Sequence, residues 1–140
     1  MLFNHILVPF DGSDLSIKSL EKAMEIAKLS PTSKITVIHV VQLPVKRVPD
    51  ALYNQVKKMI LDEGAEVISK AEKILEGFPN EYKCSVIEGS PIHTILEEAE
   101  NLECDLIIMG KRGLSGLKEF LGSVSHYVVQ NTKIPVLLMK

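Results

Sequence analysis

Five short apolar runs recur along the chain, and more polar segments with helical periodicity separate them. The runs are Ile6–Phe10, Ile35–Val41, Lys83–Ile87, Leu106–Met109 and Pro135–Met139. Most of them are continuous rather than alternating, which is typical of strands that helices cover on both faces of a parallel sheet. The third run alternates between polar and apolar residues, so we expect that strand to lie near an edge of the sheet.

Each separating segment carries apolar residues at helical spacing. The longest pattern extends from Leu52 to Leu75, and Gly64 interrupts it, which makes this glycine a candidate bend. A third helix begins at Ser90-Pro91 and a fourth at the Gly122-Ser123 step, where capping residues precede the apolar positions. Strict alternation of strand and helix predicts an α/β fold, a doubly wound five-stranded parallel sheet with helices on both faces. We expect a single Rossmann-like domain over residues 1–140.

The composition argues against several classes of protein. Hydrophobic residues make up 46% of the 140 residues, which is enough for one core without metals or disulfides. The formal charge is -2 and neither sign forms a long block, so we expect no nucleic-acid partner. The sequence lacks a long apolar run and a signal-peptide pattern, so we expect a cytoplasmic protein that does not contact membranes. Cys84 and Cys104 lack C-x-x-C spacing and are interpreted as buried, reduced thiols.

The most informative stretch is Gly110-Lys111-Arg112-Gly113, which begins where the fourth apolar run ends and precedes Gly122-Ser123-Val124-Ser125. A buried strand that opens into glycines and then into a helix start leaves backbone N–H groups unpaired and directed at one place. The glycines permit close approach, the serines lie at the positive end of the helix, and the two basic residues bring charge nearby. The pattern predicts a phosphate site.

A second polar turn, Asp11-Gly12-Ser13, directly follows the first apolar run. In open parallel sheets, ligands bind at the carboxyl ends of the strands where the winding direction reverses, here between strands one and four. Asp11 either caps the following helix or contacts a ribose, a base or a magnesium ion, and the sequence leaves both roles open. The phosphate-loop and dinucleotide fingerprints are missing from the chain, so P-loop hydrolysis and NAD binding are not expected.

Over essentially the whole chain, the motifs resemble those of the universal stress protein family. The residues that carry the resemblance are Ile6-Leu7-Val8-Pro9-Phe10-Asp11-Gly12-Ser13, His39-Val40-Val41, Gly89-Ser90-Pro91, and Asp105-Leu106-Ile107-Ile108-Met109-Gly110 with Gly122-Ser123-Val124-Ser125. The resemblance implies the strand order 3-2-1-4-5 and the ATP-binding type of the family, with AMP or ADP as alternative ligands and with or without Mg²⁺. The nucleotide-binding residues that it implies are Pro9, Asp11, Val40, Gly110, Arg112, Gly113, Gly122, Ser123, Val124 and Ser125. Asp11 and the backbone near Val40 are expected at the adenosine, and the residues from Gly110 onward around the phosphates. No residue is assigned to catalysis or to direct metal binding.

The resemblance also implies a homodimer formed through the last strand. Independently of the family, the run Ile134–Met139 is apolar, and an uncovered edge strand of this kind favours pairing with a second copy. One feature departs from the family pattern. The segment Leu114–Leu121, between the second glycine and the Gly-Ser pair, is one residue shorter than in the family.

Three functions remain open from the sequence. The first is a stress-response module that binds ATP and signals nucleotide state to an unknown protein partner through Gln42–Asp50, a segment that is either a lid or an ordinary connector. The second is a slow ATPase or phosphotransferase in which Asp11 holds the metal and His126 or a serine acts near the leaving phosphate. The third is a nucleotide-free interaction protein. The first is preferred because preformed backbone donors need no catalytic base.

Overall fold

The structure, a computed structural model, describes residues 3–112 and 122–140. Within these residues, five strands alternate with four helices. The strands are β1 His5–Pro9, β2 Lys34–Val41, β3 Tyr82–Glu88, β4 Leu106–Gly110 and β5 Val136–Met139. The helices are α1 Asp14–Ala27, α2 Asp50–Leu75, α3 Pro91–Asn101 and α4 Ser123–Asn131. All neighbouring strands pair in parallel in the order β3-β2-β1-β4-β5, which confirms the predicted doubly wound sheet and its strand order.

The core consists of two apolar layers, one on each face of the sheet. Alternate residues of a strand point to opposite faces, so Ile6 and Val8 of β1 pack with α1 and α2, whereas Leu7 packs with α3 and α4. By the same alternation in β4, Ile108 lies in the layer with α1 and α2, and Ile107 lies in the layer with α3 and α4. Because both faces are covered, the central strands are apolar at nearly every position, as the continuous runs predicted.

The two edges of the sheet are less buried than its centre. β3 is one edge, as its alternating sequence predicted, and β5 is the other. Cys104 is buried and Cys84 is half-buried. Burial raises the pKa of the Cys104 thiol to about 12 and that of Cys84 to about 11, so both thiols stay protonated and unreactive at neutral pH.

Gly64 lies inside the continuous helix α2 and is not a break in it. A Cβ atom at this position would lie 3.1 Å from Cγ1 of Val41 and 3.2 Å from Cγ1 of Val86. The missing side chain therefore lets the helix pack tightly against the ends of β2 and β3. Long-range packing, rather than an interruption of the helix, explains this glycine.

Polar side chains make hydrogen bonds at the amino ends of the strands. The ring of His5 lies with Nδ1 3.0 Å from the carbonyl oxygen of Leu102 and Nε2 2.6 Å from Oγ1 of Thr36. The amide nitrogen of Asn80 lies within 2.9 Å of three carbonyl oxygens, that of Ala27 at the end of α1 and those of Ser30 and Ser33 in the connection to β2. These buried groups have hydrogen-bond partners within the protein and therefore stabilise the fold.

Within residues 3–112 and 122–140, none of the helices carries an apolar stretch of the length that a bilayer span needs.

Candidate functional site

The chain leaves β1 through a turn that hydrogen bonds hold in place. The N–H of Phe10 donates to the carbonyl of Ile38 at 2.8 Å, and the Nδ1 of His39 lies 2.8 Å from the carbonyl oxygen of Phe10. The Oδ1 of Asp11 then accepts the N–H of Ser13 at 2.9 Å. Pro9 and Asp11 are both half-buried at this carboxyl end of the sheet.

Ser13, and not Asp11, caps helix α1. The Ser13 hydroxyl oxygen accepts the N–H of Ser16 at 3.2 Å. Of the two roles that the sequence left open for Asp11, helix capping is therefore wrong. Within the described residues, the hydrogen bond from Ser13 engages one carboxylate oxygen of Asp11, and the other oxygen has no hydrogen-bond partner.

The backbone of Val40 is directed toward the space that β1 vacates. Along a parallel strand, successive residues turn their N–H and C=O groups to opposite sides. The carbonyl of Ile38 accepts from β1 and that of Val41 accepts the N–H of Gly89 on the β3 side, so the peptide groups of Val40 face β1. The β1–β2 pairing ends at Pro9 with Ile38, below the level of Val40.

Gly110 ends β4 against the first turn of α1. A Cβ at Gly110 would lie 2.8 Å from the Cβ of Leu15 and 3.0 Å from the carbonyl oxygen of Arg112. No L-residue other than glycine fits there without displacing backbone. Because Leu15 follows the Asp11 turn by four residues, this contact brings the ends of β1 and β4 together, as the sequence predicted for the switch point.

Hydrogen bonds connect Lys111, the residue after β4, to the start of α4. The carbonyl of Lys111 accepts the N–H of Gly122 at 2.6 Å and the hydroxyl of Ser125 at 2.5 Å. A Cβ at Gly122 would lie 3.2 Å from the Cα of Arg112, so the two backbones touch. Gly113 lies outside the described residues, and so does the shortened segment 114–121.

Helix α4 begins with backbone donors that face this junction. Gly122 is its N-cap, and the first intrahelical hydrogen bond runs from the N–H of His126 to the carbonyl of Gly122. The N–H groups of Ser123, Val124 and Ser125 therefore have no partner within the helix. The Ser125 hydroxyl is buried and committed to Lys111, so this residue has its N–H rather than its hydroxyl to offer.

The predicted site residues in the described part of the chain thus lie at one edge of the sheet, on β1, β2, β4 and the start of α4. Arg112 is half-buried at the same junction, whereas the side chain of His126 is exposed. No group of three or more His, Cys, Asp or Glu side chains in the described residues is arranged to hold a metal ion. The sequence analysis quoted His39 only within the His39-Val40-Val41 motif and did not single out Leu15, because both make their contacts with distant segments rather than through a local pattern.

Solved structures with the same fold include complexes with adenine nucleotides. One is a universal stress protein from Archaeoglobus fulgidus in complex with dAMP, with a TM-score of 0.74 and 23% identity over the whole of both chains. Another is an Arabidopsis thaliana family protein with AMP bound, with a TM-score of 0.72 and 18% identity over 98% of this chain and 91% of that one. A third is a universal stress protein in complex with cAMP, with a TM-score of 0.75 and 21% identity over 100% of this chain and 99% of that one. At these identities the likeness shows the fold.

More similar relatives establish the family. Universal stress protein MJ0531 of Methanocaldococcus jannaschii is 34% identical over 142 residues, which cover 99% of this chain and 83% of that protein. Universal stress protein YxiE of Bacillus subtilis is 33% identical over 149 residues, which cover 99% of this chain and 100% of that protein. The solved structure of protein MJ0577, also from Methanocaldococcus jannaschii, superposes with a TM-score of 0.88 at 28% identity over 100% of this chain and 97% of that one. The model of the universal stress protein family matches residues 2–140, and the chain belongs to that family.

Proposed function

We propose that this protein binds an adenine nucleotide in the crevice between the ends of β1 and β4. The preferred ligand is ATP, and AMP and ADP share the contacts to base and ribose. The observation that carries the proposal is the convergence of the Asp11 turn with the Lys111–Gly122 junction at the switch point of the sheet. Three complexes of the same fold, with cAMP, AMP and dAMP, support an adenine nucleotide as the class of ligand.

Each predicted residue takes a role that its surroundings allow. Asp11 offers a carboxylate oxygen without a protein partner among the described residues, which suits a ribose hydroxyl. The N–H and C=O groups of Val40 suit the hydrogen-bonding edge of a base, and Pro9 lies below them, opposite Ile38, at the end of β1. The N–H groups of Ser123, Val124 and Ser125, which have no partner within α4, suit phosphate oxygens.

The two glycines at the proposed phosphate end hold neighbouring segments of the protein in close contact. A Cβ at Gly110 would meet Leu15 and the Arg112 carbonyl, and a Cβ at Gly122 would meet the backbone of Arg112. Arg112 adds a positive charge, and Gly113 is proposed for the same lining on sequence alone. Mg²⁺ is compatible with Asp11 as a single carboxylate, since magnesium at nucleotide sites is often bound through one carboxylate and the substrate phosphates.

Calorimetry with ATP, ADP and AMP tests this proposal, with GMP as the base-specificity control. The variant Asp11→Asn keeps an oxygen for the N–H of Ser13 but removes the charge and one acceptor. We expect it to weaken AMP binding roughly tenfold, the equivalent of about one hydrogen bond to a charged group. Asp62→Asn, an exposed change on α2, is the matched control and leaves the affinity unchanged. Absence of binding by the unmodified protein at millimolar AMP and ATP would overturn the proposal and favour a nucleotide-free interaction protein.

We also propose that the protein is a homodimer paired through β5 and that it acts as a regulatory module rather than as an enzyme. β5 is an edge strand with Leu137 37% exposed, and the segment before α2 exposes Val45 and Val48 to a partner. Light scattering that gives the monomer mass at micromolar concentration would contradict the dimer. Sustained phosphate release from ATP would instead favour the slow ATPase. The cytoplasmic location stays a prediction.

A further inference from the structure

The side chain of His39 occupies the place of a missing rung in the β1–β2 ladder. In a parallel ladder, a residue donates its N–H to one residue of the neighbouring strand and accepts the N–H of the residue two positions further along. Phe10 donates to Ile38, so continued pairing would have the N–H of Val40 donate to the carbonyl of Phe10. Among the described residues this backbone bond is not formed.

The Nδ1 of His39 lies 2.8 Å from that same carbonyl oxygen. A carbonyl accepts and does not donate, so Nδ1 carries the proton of this hydrogen bond. The ring is half-buried and packs toward α2, where its Cδ2 would lie 3.6 Å from a Cβ at Gly64. The imidazole is thus held between a helix and the exit of β1, in a position that satisfies the Phe10 carbonyl.

Satisfying this carbonyl has a consequence for the backbone next to it. A partly buried carbonyl without a partner is unfavourable, so it forms a hydrogen bond with the nearest available donor. In the register of this ladder, the nearest donor to the Phe10 carbonyl is the N–H of Val40. With His39 in place, the chain can leave β1 at Phe10, and the N–H of Val40 stays available at the crevice.

We propose that His39 is a positioning residue of the nucleotide site. Its Nδ1–H donates to the Phe10 carbonyl and thereby keeps the N–H of Val40 free for the base. The same bond fixes the residue directly before Asp11, so both adenosine contacts depend on it. This inference rests on the proposed function for its ligand. The hydrogen-bond replacement itself is a property of the protein without nucleotide.

Three substitutions at this position separate the hydrogen bond from the size of the side chain. His39→Asn places an amide nitrogen close to where Nδ1 lies and keeps a donor for Phe10. His39→Leu keeps a side chain of similar bulk and removes the donor, and His39→Ala is a second donor-free variant if leucine impairs folding. His93→Leu, at an exposed histidine of α3, is the control for loss of a histidine elsewhere.

Amide hydrogen exchange on the nucleotide-free protein gives the first readout. We expect the N–H of Val40 to exchange rapidly in the unmodified protein and in His39→Asn, and to become at least tenfold more protected in His39→Leu, because it closes onto the Phe10 carbonyl. A side chain that merely stabilised the fold would change exchange in the opposite direction. Unchanged or faster exchange of Val40 in both donor-free variants would overturn the inference.

Calorimetry with AMP gives the second readout. We expect roughly tenfold weaker binding in His39→Leu, affinity within about threefold of the unmodified protein in His39→Asn, and no change in His93→Leu. Equal affinity in His39→Leu and the unmodified protein would overturn the role of His39 at the site. If the unmodified protein binds no adenine nucleotide, the proposed function fails. The amide exchange of Val40 still decides whether the His39 side chain replaces the backbone hydrogen bond from Val40 to Phe10.

Discussion

Replacing Gly110 by alanine tests the contact that brings the two halves of the site together. The new Cβ would lie 2.8 Å from the Cβ of Leu15 and 3.0 Å from the carbonyl oxygen of Arg112. Carbon atoms in contact prefer a separation of about 3.5 to 4.0 Å, so the overlap with Leu15 is close to 1 Å. A Cβ atom moves with its backbone, and side-chain rotation cannot relieve the overlap. Helix α1 or the end of β4 must therefore shift.

Overpacking of this kind costs about 1 to 3 kcal/mol of unfolding free energy. For a domain of this length, that corresponds to a fall in Tm of roughly 3 to 12 °C, measured by calorimetry or circular dichroism. Because the Asp11 turn directly precedes α1, we also expect AMP affinity to fall at least tenfold.

Gly77→Ala is the control for a loss of stability that does not involve the site. Gly77 lies two residues beyond the carboxyl end of α2. Gly77 has a φ of +79° and no atom within 4 Å of the Cβ position, so alanine there adds strain without overlap. We expect a loss of about 1 to 2 kcal/mol and unchanged AMP affinity. A Gly110→Ala protein that melts and binds AMP like the unmodified protein would refute the close contact, and equal losses of affinity in both variants would refute its specific effect on the site.

Three further predictions concern buried polar groups. Ser125→Ala should lower the free energy of unfolding by about 1 kcal/mol in urea titrations, whereas Ser123→Ala, at an exposed side chain, should change it by less than about 0.5 kcal/mol. Asn80→Asp should lower the free energy of unfolding by about 3 kcal/mol, because a carboxylate replaces the amide that lies against three carbonyl oxygens. Asn54→Asp, at an exposed position, is its control in thermal melts, and equal melting temperatures of the two variants would contradict the argument. Burial lowers the pKa of His5 below 6.5, so the unfolded chain binds this proton more readily and stability should fall as the pH drops below about 6.5. Urea midpoints at pH 7 and pH 5 measure the fall, which should be smaller in His5→Gln; an identical fall in that variant would assign it to other groups.

The fold was predictable because its determinants repeat along the chain. Continuous apolar runs with helices between them leave few arrangements other than a doubly wound parallel sheet. Errors were confined to positions where tertiary contacts decide. The first strand was predicted to extend to Phe10, but the ladder ends at Pro9, and the Phe10 carbonyl turns to a side chain instead.

The candidate site was predictable in its location and less so in the roles of its residues. Glycines and serines at strand and helix ends indicate where backbone donors gather, but not which side chains secure them. Ser125 looked like a phosphate ligand in the sequence, and the structure shows its hydroxyl donating to Lys111. The position of His39 matters because of the register between β1 and β2, which is a relation between segments and has no local signature.

His39 and Ser125 perform the same operation at the two halves of the site. Each donates a side-chain hydrogen bond to a carbonyl at the end of a strand, that of Phe10 for His39 and that of Lys111 for Ser125. The N–H of Val40 thereby stays unpaired with β1, and the first N–H groups of α4, which helix geometry leaves without intrahelical partners, are held beside Lys111. In the proposed function the first of these donors binds the base and the others bind phosphate oxygens, although the chain has a formal charge of -2. The proposed phosphate contacts therefore rely on the position of the helix start rather than on a cluster of basic residues. Removing either side-chain donor should weaken nucleotide binding without changing any group that touches the ligand.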